Sequence, residues 1–124
     1  MIRTDRIVVA LIGPYTSGGM GFIENVKRGQ AMAAKLMALG FSPICPWLDY
    51  PLEFFEDLTK RDFQETFAAQ LVRADVVLAL PGWGKSEGAL MDRRIAVEAG
   101  KLVVYSIETL QSWAASNSQR VHHM

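Results

Sequence analysis

Short apolar runs alternate along the chain with longer stretches of helical periodicity. Ile7 to Ile12 is an unbroken β-branched and apolar run closed by Gly13-Pro14, the pattern of a strand buried on both faces, as in a parallel sheet. From about Phe22 to Leu39, the residues Ile23, Val26, Ala33, Leu36 and Met37 recur near helical spacing, and Gly40 supplies a stop. Phe41 to Cys45 predicts a short second strand, and Pro46 to Pro51 opens a loop rich in aromatics. Asp62 to Ala74 reads as helix, with Phe63, Phe67 and Leu71 at i, i+4 and i+8, and leads into a strand from Val76 to Leu80. Pro81-Gly82-Trp83-Gly84 ends that strand, and a helix from about Glu87 to Ala99 follows, closed by Gly100. Leu102 to Tyr105 predicts a fourth strand and Ile107 to Ala115 a final short helix. From Ser116 onward the chain is polar and without periodicity, which predicts a loose tail.

Strands that alternate with helices imply βαβ units, because a parallel strand pair needs a right-handed crossover covering one sheet face. The expected fold is a three-layer α/β/α sandwich, flavodoxin- or Rossmann-like, with a mainly parallel sheet of four to five strands. It is expected as one domain over residues 1–115, followed by the tail 116–124. In such sheets ligands bind beyond the carboxyl ends of the strands. That rule points to Gly13 to Gly21, Pro46 to Pro51, Pro81 to Gly88, and Ser106.

Composition narrows the chemistry. The chain has 124 residues, half of them apolar, and 13 basic residues balance 13 acidic ones. A chain of this size buries enough surface to fold without staples. The single Cys45 has no partner within the chain, no CxxC spacing exists, and His122 and His123 are adjacent in the tail, so neither a disulfide nor a zinc site is expected. Zero net charge and an isoelectric point near 6.7 remove the positive field by which a nucleic-acid binder collects phosphates. No nucleic-acid polymer is expected as a partner. The apolar run at the N-terminus is too short for a signal peptide or a membrane span, and a lone thiol suits a reducing compartment. Together these predict a soluble cytoplasmic protein with no membrane partner.

Three constellations stand at the predicted sheet edge. The loop Gly13 to Gly21 (GPYTSGGMG) joins the first strand to the first helix, where free backbone N–H groups and the helix dipole favour an anion. It is neither a GxGxxG fingerprint nor a Walker A loop, and a tight turn alone also explains its glycines. The turn Pro81 to Asp92 (PGWGKSEGALMD) combines glycines, a hydroxyl and a helix start. Ser86 is placed as the N-cap, accepting from the N–H of Gly88 or Ala89, and the same groups would serve a phosphate. Asp92 shares a helical stripe with Ala89, Ile95, Ala96 and Ala99, which sets an acid on the sheet-facing side where it is partly desolvated. An acid complementing the helix N-terminus is the plainer reading. Tyr15, Asp49, Tyr50 and Trp83 fall in the same loops, where a hydroxyl or ring can orient a sugar or stack a base. Glu53, Glu56 and Asp57 read as a solvated acidic face.

GPYTSGG after the first strand, PGWGKSEGA after the third, and Asp92-x-x-x-Ala96-x-x-x-Gly100-Lys101 together resemble the nucleoside 2-deoxyribosyltransferase-like superfamily, and in particular a small branch of it. The resemblance spans roughly Ile7 to Ser106. It implies the fold already expected and a carboxylate nucleophile at Asp92 that attacks C1′ of the sugar and releases the base. The superfamily's nucleoside 5′-monophosphate N-glycosidases carry a phosphate-holding serine six residues before that carboxylate, and Ser86 matches it. The resemblance thus implies a nucleotide substrate with Asp92 as nucleophile, and Asp49 and Tyr15, from their places in the post-strand loops, complete the expected catalytic set. Gly13, Ser17, Gly18, Gly19, Trp83, Ser86 and Gly88 are the expected substrate-binding set, with no cofactor and no metal. It also implies a homo-oligomer, dimer or tetramer, with sites completed by a neighbouring chain. The apolar loop residues Pro51, Leu52, Phe54 and Phe55 suit either such a neighbour or closure over a ligand.

The sequence departs from the family pattern twice. Asp92 stands where the family has glutamate, one methylene longer. The family's second carboxylate, an aspartate eight residues before the acid that opens the third strand, falls at Phe67 when counted back from Asp75. Asp49 is the substitute the sequence offers, since Asp75 lies at the wrong end of its strand. Two other readings therefore stand beside N-glycosidic cleavage or exchange. One is a nucleotide-binding or sensor domain that kept the cavity and lost the chemistry. The other is a hydrolase of a ribonucleotide or an NAD-like cofactor, because PGWGKSEGA is also similar to the PGGxGTxxE turn of cytokinin-activating phosphoribohydrolases.

Overall fold

The computed structural model describes residues 1–14, 20–48 and 50–123. In chain order it contains β1 (Val8–Ile12), α1 (Met20–Ala38), β2 (Ser42–Ile44), α2 (Lys60–Leu71), β3 (Val76–Ala79), α3 (Glu87–Glu98), β4 (Val103–Val104) and α4 (Ile107–His123). Short 3-10 turns at Pro46–Leu48, Tyr50–Phe54 and Trp83–Lys85 occupy the connections. The four strands form one all-parallel sheet in the order β2-β1-β3-β4. The chain first steps from β1 outward to β2, then crosses back over β1 to β3 and on to β4. The direction of winding therefore reverses between β1 and β3, and the crevice at their carboxyl ends is the expected ligand position. Pro43, which has no N–H to donate, is accommodated because β2 is an edge strand paired on one side with β1.

Strand alternation sorts the core into two layers. Val9 and Leu11 of β1, Val76 and Leu78 of β3, and Val104 of β4 point to the α1 and α4 side, where they meet Val26, Leu36, Trp47 and Leu110. Ala10, Ile12, Val77 and Ala79 point the other way and pack with Phe67, Leu71 and Ala96 of α2 and α3. Both faces are covered, which is why β1 and β3 read as unbroken apolar runs. The architecture is the three-layer α/β/α sandwich that the alternation of elements predicts, with four strands among the described residues.

Local differences from the sequence reading have identifiable causes. The buried stripe of α1 carries Val26, Ala33 and Leu36, with Phe22 partly buried beside it, while Ile23 and Met37 are 45% and 57% exposed. The stripe runs through Gly29, which hydrophobicity alone does not flag. A Cβ at Gly29 would overlap the Trp47 indole, whose Cγ lies 2.7 Å from that position, so this glycine lets the ring lie against the helix backbone. Trp47 is 1% exposed, and its Nε1–H donates to the Pro14 carbonyl at 3.0 Å. Helix α2 starts at Lys60, two residues before the predicted Asp62, because Thr59 and Asp62 close a capping box. Gly40 and Gly100 adopt φ of 96° and 76° just after α1 and α3, the left-handed stops their positions predict. Helix α4 continues to His123, past Ala115 and through the segment expected as a loose tail. Residues 116–123 contain neither Gly nor Pro, so nothing in them terminates a helix already started.

Candidate functional site

A cavity of about 400 Å³ opens at the carboxyl ends of β1 and β3, between α2 and α3. Its floor is Ile12 and Gly13, where β1 ends, with Pro46 from the loop after β2. Gly13 is also closely packed, since a Cβ there would lie 3.1 Å from the Leu80 Cβ and 3.3 Å from the Trp47 ring. One wall is the start of α3, through Ser86, Gly88, Ala89, Met91 and Asp92. The opposite wall is the start of α2, where Lys60, Phe63, Gln64 and Phe67 stand at i, i+3, i+4 and i+7 and so share one helix face. Glu53 and Leu58 border the cavity from the connection between β2 and α2.

Ser86 is the N-cap of α3, with φ −112° and ψ 120°, and its Oγ accepts from the Ala89 N–H at 3.2 Å. The two residues between them set Gly88 at the cavity surface, and an added Cβ there would come within 4 Å of nothing but the Ser86 Oγ, at 4.0 Å. A negatively charged group placed here faces the N–H groups of the first helical turn and the positive end of the α3 dipole. Asp92 lies six residues further along the helix, about 9 Å of rise. It is half-buried, and its carboxylate makes no hydrogen bond or ion pair with any described residue. Burial raises its pKa from an ordinary 3.8 to about 6. Apolar side chains of Ile12, Phe63, Phe67 and Ala89 line the same cavity, and they withhold the solvation that would stabilise the charge.

Among the described site candidates the structure brings together Gly13, Ser86, Gly88 and Asp92. Tyr15, Ser17, Gly18, Gly19 and Asp49 lie outside the described residues. Trp83, expected at the substrate, does not line the cavity and is engaged elsewhere. Its ring centroid lies 5.4 Å from that of Tyr105, and the Arg93 guanidinium carbon sits 5.2 Å from the Trp83 ring centroid. The Arg93 Nε–H donates to the Tyr105 hydroxyl at 2.8 Å. This cation–π cluster pins the turn after β3 to α3 and to the end of β4. Asp75 is likewise structural: its carboxylate accepts from the Val8 N–H at 2.8 Å, at the amino end of β1 and away from the cavity.

Sequence reading missed Glu53, Lys60, Phe63 and Gln64. The first turns of the helix that follows β2 open at the same sheet edge as the strand-end loops, so their i, i+3, i+4, i+7 face was an available signal. Glu53 belongs to the stretch read as a solvated acidic face, and only the path of the chain from β2 back to α2 brings it to the cavity. Phe67, the position at which the resemblance places a second carboxylate, is 5% exposed and lines the same cavity as Asp92.

A family model described as a domain of unknown function, DUF4406, matches residues 12–105. The chain belongs to the DUF4406 family. The matched span opens at the last residue of β1 and closes just beyond β4, so the family pattern contains every residue lining the cavity and the Trp83, Arg93 and Tyr105 cluster. Helix α4 lies outside it. No protein with a curated description matches the chain. No helix among the described residues is long and apolar enough to cross a membrane.

Proposed function

We propose that this domain cleaves or exchanges the N-glycosidic bond of a nucleoside 5′-monophosphate, with Asp92 as the nucleophile. The observation that carries the reading is the pairing within one cavity of a desolvated carboxylate on α3, without a partner among the described residues, with the capped N-terminus of the same helix. The phosphate would take the α3 N-terminus at Ser86 and Gly88, which places the sugar over Asp92. The Asp92 carboxylate attacks C1′, the C1′–N bond breaks, and the base leaves with the bonding electron pair. The resulting glycosyl ester is opened at C1′ by water, or by a second base, and Asp92 is released as the carboxylate. Glu53 is the other described carboxylate at this cavity, an exposed one, and it removes a proton from the incoming water while the departing base takes its proton from solvent.

With its pKa raised to about 6, Asp92 remains mostly ionised at neutral pH and has little solvation to lose on attack. The test is chromatography of free base released from ribo- and deoxyribonucleoside 5′-monophosphates by wild type and by Asp92→Asn. Release that disappears with Asp92→Asn supports the reading. Phe67 in place of an acid on the opposite wall favours a second reading, a binding domain without turnover. Tight binding of intact nucleotide with no base released by wild type would establish that reading instead.

A further inference from the structure

The wall of the cavity facing Asp92 has a composition that the proposed chemistry has not used. Phe63, Gln64 and Phe67 come from successive turns of one α2 face and border the same space. Gln64 is half-buried, and its carboxamide makes no hydrogen bond with any described residue. The half-buried Phe63 ring beside an amide without a partner among the described residues, over the buried Phe67, forms a distinctive recognition set. Phe63 offers apolar contact to a planar heterocycle, with Phe67 packed behind it as apolar floor, and the amide offers one donor and one acceptor side by side. A glutamine so placed pairs in bidentate fashion with a base edge that presents an adjacent acceptor and donor.

We infer that Gln64, framed by Phe63 and Phe67, reads the edge of the departing base, and that the substrate is a nucleotide whose base carries a neighbouring hydrogen-bond donor and acceptor. This rests on the nucleotide reading of the cavity. It assigns the three parts of the substrate to three parts of the wall: phosphate at Ser86 and Gly88, sugar at Asp92, and base at α2. A carboxamide-bearing pyridinium, a 6-amino- or 6-oxopurine and a 4-aminopyrimidine all present such an edge, and the carboxamide of Gln64 rotates to match either order of donor and acceptor.

The test compares binding of matched nucleotides by calorimetry, under conditions where turnover is negligible. Nicotinamide mononucleotide is paired with its pyridine analogue, and adenosine and inosine 5′-monophosphates with purine riboside 5′-monophosphate, so that each pair differs at the base edge alone. Wild type is expected to prefer the edge-bearing member. Gln64→Met, which keeps the length of the side chain and removes the amide, is expected to weaken that member about 10-fold or more and the edge-free analogue by less than about twofold. Gln64→Glu, which keeps the acceptor and loses the donor, should redistribute preference among the edge-bearing bases. Equal weakening of both members of each pair, or no weakening, would overturn the assignment of Gln64 and leave the nucleotide reading standing. Failure of every nucleotide to bind wild type would remove both. Thermal melting of the variants shows whether each is folded, and the ratio within a pair is insensitive to a change in the fraction of competent protein.

Discussion

Replacing Asp92 with Asn should make the protein more stable and less active at the same time. The carboxylate is half-buried, has no partner among the described residues, and has its pKa raised from 3.8 to about 6 by burial. That gap corresponds to about 3 kcal/mol of disfavoured ionisation in the folded state. Solvent still reaches part of the group, so screening reduces the expected effect to about 1–2 kcal/mol. The direction follows from proton linkage. The folded state holds its proton to higher pH than the unfolded chain, so wild type loses stability as pH rises from about 4 to about 6 and carries the full penalty above that. Asn has the shape of the protonated acid and carries no charge to desolvate. Urea unfolding at pH 8 should therefore show Asp92→Asn more stable by about 1–2 kcal/mol, with a melting temperature higher by about 5 °C. At pH 5 the advantage should fall to roughly half, because wild type is then mostly protonated when folded. An Asn variant that is less stable than wild type at pH 8, or one whose advantage is the same at both pH values, would refute the desolvation argument. A stability cost of that size would support the proposed role of Asp92, since acids retained for function are commonly kept at such a cost.

Other consequences can be checked with the same preparations. Base release should rise with pH through about 6 and level off above it, since Asp92 must be ionised to attack; a rate that falls over this interval would contradict its role as nucleophile. Ser86→Ala removes the cap bond to Ala89 and should cost about 1 kcal/mol in urea unfolding, while weakening nucleoside monophosphates far more than free nucleosides in binding assays. Gly29→Ala forces a methyl into the Trp47 ring and should destabilise the fold by about 2–3 kcal/mol, visible as a loss of thermal stability with the affinity of the folded fraction unchanged. Asp75→Ala leaves the Val8 N–H without its carboxylate acceptor; a cost of about 1 kcal/mol in unfolding and an unaltered rate of base release would mark Asp75 as structural.

The order of elements was legible in the sequence because each signal is local. A strand covered on both faces must be apolar at every position, which Val8–Ile12 and Val76–Ala79 are, and a helix that turns back to a parallel strand needs a stop, which Gly40 and Gly100 provide. The relation of Ser86 to Asp92 was legible for the same reason: both belong to the helix that follows β3, and six residues of that helix fix their spacing. The far wall of the cavity was not. Whether α2 faces α3 depends on the crossover from β2 over β1 to β3, and that crossover is decided by packing of Phe67, Leu71 and Ala96 on one sheet face. The surroundings of Trp83 were not legible either: its place after a strand suggested a ligand contact, and only the packed chain brings it against a cation on α3 and a ring at the end of β4. Sequence by itself determined the order of strands and helices, the parallel sheet and one wall of the cavity, since these follow from periodicity and caps within a single element. Tertiary structure alone decided what stands opposite Asp92, and thereby how far its charge is desolvated, because pKa and recognition depend on groups that meet only when distant segments pack.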